Sequence, residues 1–195
     1  MTPIATVRLG RPAAATKEEA LALATEHYLD GRRVDVQAIA RELGLARATM
    51  YRWFGTREVL LGEVLATRAE KQMALIRRSV GGTGAAALLD TLDRGARGLV
   101  QSSALRTLLA QEQERALRIL TSSDGIVQPR MVAGYERMID VEVEEGNFVA
   151  PVPSGTLAYA LVRLGEAFVY NDAAVGIRGD VVRLREVYAA LLGIR

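Results

Sequence analysis

Residues 36–58, VQAIARELGLARATMYRWFGTRE, constrain the fold more than any other stretch of the chain. Val36, Ile39, Ala40 and Leu43 recur at the i, i+3, i+4, i+7 spacing of a helix face turned to a core. Gly44 follows where that stripe stops, and glycine enters the left-handed conformation at little cost, so a helix is expected to end there. A second helix is predicted from about Ala46 to Phe54, with Met50 and Phe54 facing inward, one turn apart. At about 100° per residue, Ala48 and Arg52 then point nearly opposite Met50. Arg47, Thr49 and Tyr51 lie on the shoulders, and Trp53 lies nearer the core edge. The outward face therefore carries two guanidiniums, a hydroxyl, a phenol and an indole, groups suited to base edges and phosphate oxygens. Two short helices about a glycine turn, the second polar outward, make a helix-turn-helix that binds DNA. An ordinary helical hairpin with a solvated face would account for Arg47 and Arg52 alone. It accounts poorly for those two together with Tyr51, Trp53 and Arg57.

GLARATMYRWFGTRE resembles the signature of the TetR-type transcriptional repressors, here Gly44, Leu45, Thr49, Met50, Tyr51, Arg52, Trp53, Phe54, Arg57 and Glu58. Upstream, the run from Ala20 to Ala24 and Gly31 fit that family's first helix and its terminating glycine. The specific part spans Lys17 to Leu61; the remainder agrees in length and helical character. Ala46 stands where serine or threonine usually caps the recognition helix, a cap contact worth ~1 kcal/mol. Trp53 replaces the commoner histidine or tyrosine, and Arg57 the commoner lysine. The resemblance implies an all-α protein that binds a palindromic operator as a homodimer and is released by a small-molecule effector. Base-edge contact falls to Arg47, Ala48 and Thr49, phosphate contact mainly to Tyr51, Trp53 and Arg57, and either to Arg52.

Other classes find little support. With no cysteine in 195 residues, disulfides, thiolate metal sites and a cysteine nucleophile are excluded. His27 is the only histidine, so a zinc or copper site is not expected, nor any other cofactor. The glycines of GGTG, residues 81–84, follow no strand and precede no Lys-Ser/Thr, so they read as a flexible turn rather than a phosphate loop. The opening MTPIATVRLGRPAAAT lacks an apolar h-region, and no run reaches the ~18 apolar residues that span a bilayer, so a cytoplasmic protein without membrane contact is expected. The net charge is only +2, but its basic excess lies in the first 80 residues, the sign expected if that end meets phosphate.

Residues 1–15 show no periodicity and are read as a disordered arm, whose Arg8 and Arg11 could follow the DNA backbone or do nothing. Residues 16–62 make the helix-turn-helix domain, with Thr16, Asp35 and Thr56 as helix caps. Residues 63–195 make a helical ligand-binding and dimerisation domain. The boundary falls inside a long fourth helix ending near Arg78. Helices follow over about 85–101, 103–112, 114–121, 126–145, 154–172 and 181 onward, nine or ten in all, with no strand.

In the last two helices, Leu157, Leu161, Leu164 and Phe168 form a stripe beside the small Ala158, Gly165 and Ala167. With Leu184, Val187, Tyr188 and Leu191 they could form half of a four-helix dimer bundle or simply the core of one chain; the family resemblance favours the dimer. Glu166 and Tyr170 lie one turn apart in the most apolar helix, where a carboxylate and a phenol are costly unless paired. They could anchor a ligand lined by Leu88, Leu92, Met131, Tyr135, Met138, Phe168 and Asn171. Alternatively Glu166 pairs internally with Arg94, Arg97 or Arg163. The run from Arg163 to Asp172 resembles a TetR subgroup named for QsdR, a regulator of quorum-signal lactone degradation, which suggests a lactone effector. Two other readings stay open: a DNA-binding dimer without ligand, and a helical enzyme, for which Glu166 with Tyr170 or Asp172 is the only acid-base suggestion.

Overall fold

The computed structural model describes residues 15–170 and 180–194. Arg8, Arg11, Asn171 and Asp172 lie outside them. The described residues form nine α-helices and no strand.

Three of the first four helices follow from their caps. α1 (Lys17–Leu29) opens on a capping box: Thr16 Oγ1 accepts from the Glu19 N–H at 3.1 Å, and Glu19 Oε2 from the Thr16 N–H at 2.7 Å. α2 (Val36–Glu42) starts at Asp35, whose carboxylate accepts from the N–H groups of Gln37 and Ala38. It stops as expected. Gly44 takes φ +64°, its N–H donates to the Arg41 carbonyl at 3.2 Å, and the Leu45 N–H reaches the Ala40 carbonyl at 2.8 Å. These are the two bonds that close a helix through a left-handed glycine. α3 (Arg47–Phe54) has no side-chain cap at Ala46 and is held instead by burial of Met50 and Phe54. Gly55, at φ +69°, turns the chain into α4 (Arg57–Ser79), capped by Thr56.

The remaining helices are α5 (Gly84–Gln101), α6 (Ser103–Thr121), α7 (Val127–Glu144), α8 (Ser154–Tyr170) and α9 (Val181–Leu191). The two short helices expected over 103–121 form one element broken at Glu112, which leaves helical geometry at φ −145°, ψ 47°. Two cores result. In one, Ala20, Tyr28, Ile39, Met50, Leu60 and Leu61 pack with Leu105, Leu108 and Ile119 of α6. In the other, Leu88 and Leu92 of α5 meet Ile139, Leu157, Leu161, Leu184 and Tyr188 from α7, α8 and α9. α4 and α7 run side by side in the same direction. Arg130, near the start of α7, bonds Glu63 and Glu70, while Glu142, near its end, takes Arg77.

Two expectations need correction here. Leu157, Ala158, Leu161, Leu184 and Tyr188, expected at a dimer interface, are sealed in the core of their own chain. Gly165 serves that core too. A Cβ there would lie 2.6 Å from the Tyr188 hydroxyl, which donates to the Leu161 carbonyl at 2.9 Å. The GGTG stretch is more than a flexible turn, because Gly84 sits at φ +70° where a Cβ would meet the Asn147 carbonyl at 2.5 Å. Its N–H donates to buried Glu142 at 2.6 Å. His27 is packed, only 3% exposed, with Nε2 3.1 Å from a Glu42 carboxylate oxygen.

Candidate DNA-reading face and ligand chamber

α3 presents its outer face as the periodicity predicts. Arg47, Ala48 and Arg52 are exposed, Tyr51 is 45% exposed, and Thr49 and Trp53 are half-buried. Met50 and Phe54 anchor the inner face, and Trp53 packs edge-on against the Phe54 ring at 6.4 Å. Among the described residues, neither Arg47 nor Arg52 has a carboxylate within ion-pair distance. Both guanidiniums therefore keep their donors for an outside acceptor. α3 follows α2 through a four-residue turn that contains Gly44, so this face can enter a groove while α2 lies across it.

Arg57 departs from its expected place. Its guanidinium lies against the body of the protein, not on the outer face. Nη1 and Nη2 bond the two oxygens of Glu112 at 2.7 and 2.6 Å, and Nε bonds the Val34 carbonyl at 2.5 Å. A bidentate pair of this kind uses nearly all the donors of the side chain. Burial pushes the Glu112 carboxyl up, but the hydrogen bonds and charge of Arg57, with Arg33 and Arg115 behind it, hold it below the usual carboxylate range. Arg57 thus ties the start of α4 and the entry to α2 to the break in α6. The sequence offered no signal for this, because the partners are separated by 55 positions.

The expected ligand residues divide among three places. A small chamber of about 70 Å³ lies among α5, α6, α7, α8 and α9, bordered by Met131, Tyr135, Glu166, Tyr170 and Tyr188 with apolar walls that include Leu99, Val127 and Val162. A longer groove of about 320 Å³ lies between α4 and α7, and Met138 borders it. Met131 and Tyr135 border both. Leu88 and Leu92 line neither, being packed in the second core, and Phe168 packs partly against that core. A wider depression, about 1030 Å³, is an open cleft where α6 faces the start of α4. Its charged groups Arg33, Glu58, Glu112 and Arg115 already pair with one another.

In the chamber, Arg163 Nη1 donates to Glu166 Oε2 at 2.8 Å, one of the internal pairings considered from sequence. Burial nonetheless pushes the Glu166 carboxyl up to about 7, against the opposing charge and hydrogen bond of Arg163. Burial, then the nearby Glu166 carboxylate, pushes the Tyr135 phenol up to about 12 and raises Tyr170 as well. Both phenols stay protonated donors. An acid whose folded pKa lies above its ordinary 4.5 binds more protons folded than unfolded, so stability declines as pH rises from about 4.5 to about 7 and is level above. Glu166→Gln is expected to remove that decline. Its melting temperature relative to wild type should rise between about pH 5 and 7.5; an unchanged difference would show that the carboxyl is not desolvated.

Among the described residues no helix is long and apolar enough to cross a membrane, and no group of three His, Asp or Glu could hold a metal ion.

A helix-turn-helix with exposed cations on its second helix, mounted on a helical body that holds a chamber, defines a one-component DNA-binding regulator. The family model for the tetracyclin repressor-like C-terminal domain matches residues 83–193. The chain belongs to the tetracyclin repressor (TetR) family of transcriptional regulators. It is similar to the TetR-family transcriptional repressor QsdR of R. erythropolis, at 27% identity and a TM-score of 0.84, over 91% of this chain and 94% of that one. It shares its fold with the TetR-family repressor AlkX from Dietzia sp. strain DQ12-45-1b, at 19% identity and TM-score 0.66, over 93% and 96% of the two chains. The same holds for the transcriptional regulator FadR of Bacillus subtilis, solved in complex with stearoyl-CoA. There the identity is 16% and the TM-score 0.51, over 92% and 100% of the two chains. No curated protein matches the sequence. Repressors of this family bind DNA as dimers and bind small-molecule effectors.

Proposed function

We propose that this protein is a repressor that binds a palindromic operator as a homodimer and leaves it when a small molecule occupies the chamber around Glu166 and Tyr170. Residues 16–62 read the DNA, and residues 63–195 hold the effector and the partner subunit. α3 enters the major groove with Arg47, Ala48 and Thr49 at base edges. Tyr51 and Trp53 meet phosphate, and Arg52 either. The observation that carries this is the outer face of α3, where two exposed arginines, without a carboxylate partner among the described residues, stand beside an exposed tyrosine. The partner subunit packs on what α8 and α9 leave outside, namely Tyr159, Ala167, Val182 and Ala190. Work in the cytoplasm and the absence of catalysis belong to this reading.

Arg47→Ala is expected to relax preference at one operator base pair, costing ~1–3 kcal/mol there. Binding to random DNA should change less, since a base-edge contact carries sequence information and a phosphate contact does not. Equal losses on operator and random DNA would remove Arg47 from base readout. Two-fold symmetry requires half-sites about 10 bp or a multiple apart, and sedimentation showing only monomer at micromolar concentration would exclude the dimer. For the effector, Glu166→Gln and Tyr170→Phe should weaken operator release by about tenfold, the ~1.4 kcal/mol of one hydrogen bond made in one state only. Release unchanged in both variants would make these residues structural.

A further inference from the structure

The groove between α4 and α7 differs in chemistry from the chamber with which it shares Met131 and Tyr135. Its walls are Met73, Ala74, Met131, Gly134, Met138 and Val141, with Tyr135 at its deep side. Three of the five methionines in the chain gather here. Methionine is unbranched and flexible, and it suits surfaces that must adapt to a ligand of variable shape. Three arginines border this apolar floor. Arg130 is held by Glu63 and Glu70, and Arg77 by Glu142. Arg137 has no carboxylate within ion-pair distance among the described residues; Glu70, which feels its charge, is already bonded by Arg130. Arg137 is itself exposed. Its Nη2 lies 3.8 Å from where a Cβ on Gly134 would be, so the guanidinium folds back over the groove at its one glycine. The result is an apolar trough of about 320 Å³, within the range of small-molecule sites, with one cation at its edge that is uncommitted among the described residues.

We propose that this trough takes an aliphatic chain with an anionic head, the head on Arg137 and the chain running over Met138 and past Met131 and Tyr135 toward the chamber. This rests on the reading of the chamber as the effector site and extends it, because Met131 and Tyr135 border both cavities. A chain lying between them must move those two side chains, which connects filling of the groove to the Glu166 and Tyr170 cluster. The anion is either a carboxylate at the end of the chain or the phosphates of a carrier to which the chain is esterified.

The test is calorimetric titration of the full-length protein with dodecanoate, dodecanol, the lactone of a hydroxydodecanoic acid and dodecanoyl-coenzyme A, with operator release measured in parallel. Wild type is expected to bind dodecanoate or its thioester at least about tenfold more tightly than the two uncharged molecules. Tight binding of the thioester alone assigns the anion to the carrier phosphates. Arg137→Gln, at an exposed position, should bring charged and uncharged probes to within about twofold of each other. Met131→Trp should fill the neck and weaken long chains while sparing hexanoate. Should that variant misfold, a wild-type series from hexanoate to hexadecanoate reads the same neck as a continued gain with length. Equal affinity for dodecanoate, its thioester and dodecanol overturns the proposal, as does absence of binding by all four probes. The two readings fail separately. Release of operator by other small molecules with no chain binding sinks this inference and leaves the effector reading standing. Chain binding that depends on Arg137 but never releases operator does the reverse.

Discussion

Arg77→Ala is expected to destabilise the protein by roughly 3–5 kcal/mol, the cost of leaving a buried carboxylate without its cation. The carboxylate is Glu142, 1% exposed in α7. Arg77 bonds one of its oxygens and the Gly84 N–H the other. With Arg77 gone, a single backbone donor remains for a full negative charge in the protein interior. For a chain of this size the loss corresponds to a fall in melting temperature of roughly 6–20 °C. The double variant Arg77→Met with Glu142→Leu is the control, since removing both charges is often neutral. Thermal unfolding at one protein concentration would test this. A fall of a degree or two in Arg77→Ala would mean that Glu142 finds water or another donor.

Arg57→Ala is expected to cost about 2 kcal/mol, less than Arg77→Ala because the Arg57–Glu112 pair keeps partial contact with water. Its larger consequence is for DNA. A side chain spent on Glu112 and the Val34 carbonyl neutralises no phosphate, so the slope of operator affinity against salt should match wild type. Affinity itself should fall, because the start of α4 and the entry to α2 lose their tie to α6. A slope shallower by about one unit would show that the guanidinium swings from Glu112 to the DNA backbone on binding.

These two predictions concern the part of the molecule that was hardest to read beforehand. Local signals were legible. The Thr16 cap, the Asp35 cap, the left-handed Gly44 and the inward pair Met50 and Phe54 all follow from spacing within a few residues, and each is present in the structure. The break near Glu112 was legible too, as the expected junction of two shorter helices. Long-range pairing was not. Arg57 with Glu112, Arg77 with Glu142, and Arg130 with Glu63 and Glu70 join positions 55–67 residues apart. Nothing in a charged helix face announces which charges will turn inward. The apolar helices α8 and α9 failed for a related reason. A stripe such as Leu157, Leu161 and Leu164 shows that something covers it, not whether the cover is the same chain or another. Here Tyr188, passing over Gly165, makes the cover internal. The ligand residues divided because helical spacing places Leu88 and Leu92 on a buried face without saying whether that face meets a void or a neighbour.

The first core has a practical bearing on hybrid regulators assembled from parts. Leu60, Leu61, Tyr28 and Ala20 lie in one cluster with Leu105, Leu108 and Ile119 of α6, and Gly31 abuts Thr107, whose Cγ2 would sit 3.3 Å from a Cβ added there. A graft cut at residue 62 would strip these side chains of their cover and set them against a foreign surface. The transplantable unit is discontinuous in sequence: residues 15–66 together with the stretch 103–121 that roofs them. A swap that exchanges only the N-terminal segment should yield a poorly soluble hybrid. One that carries α6 across, Glu112 included, keeps the joint between reader and sensor in matched halves.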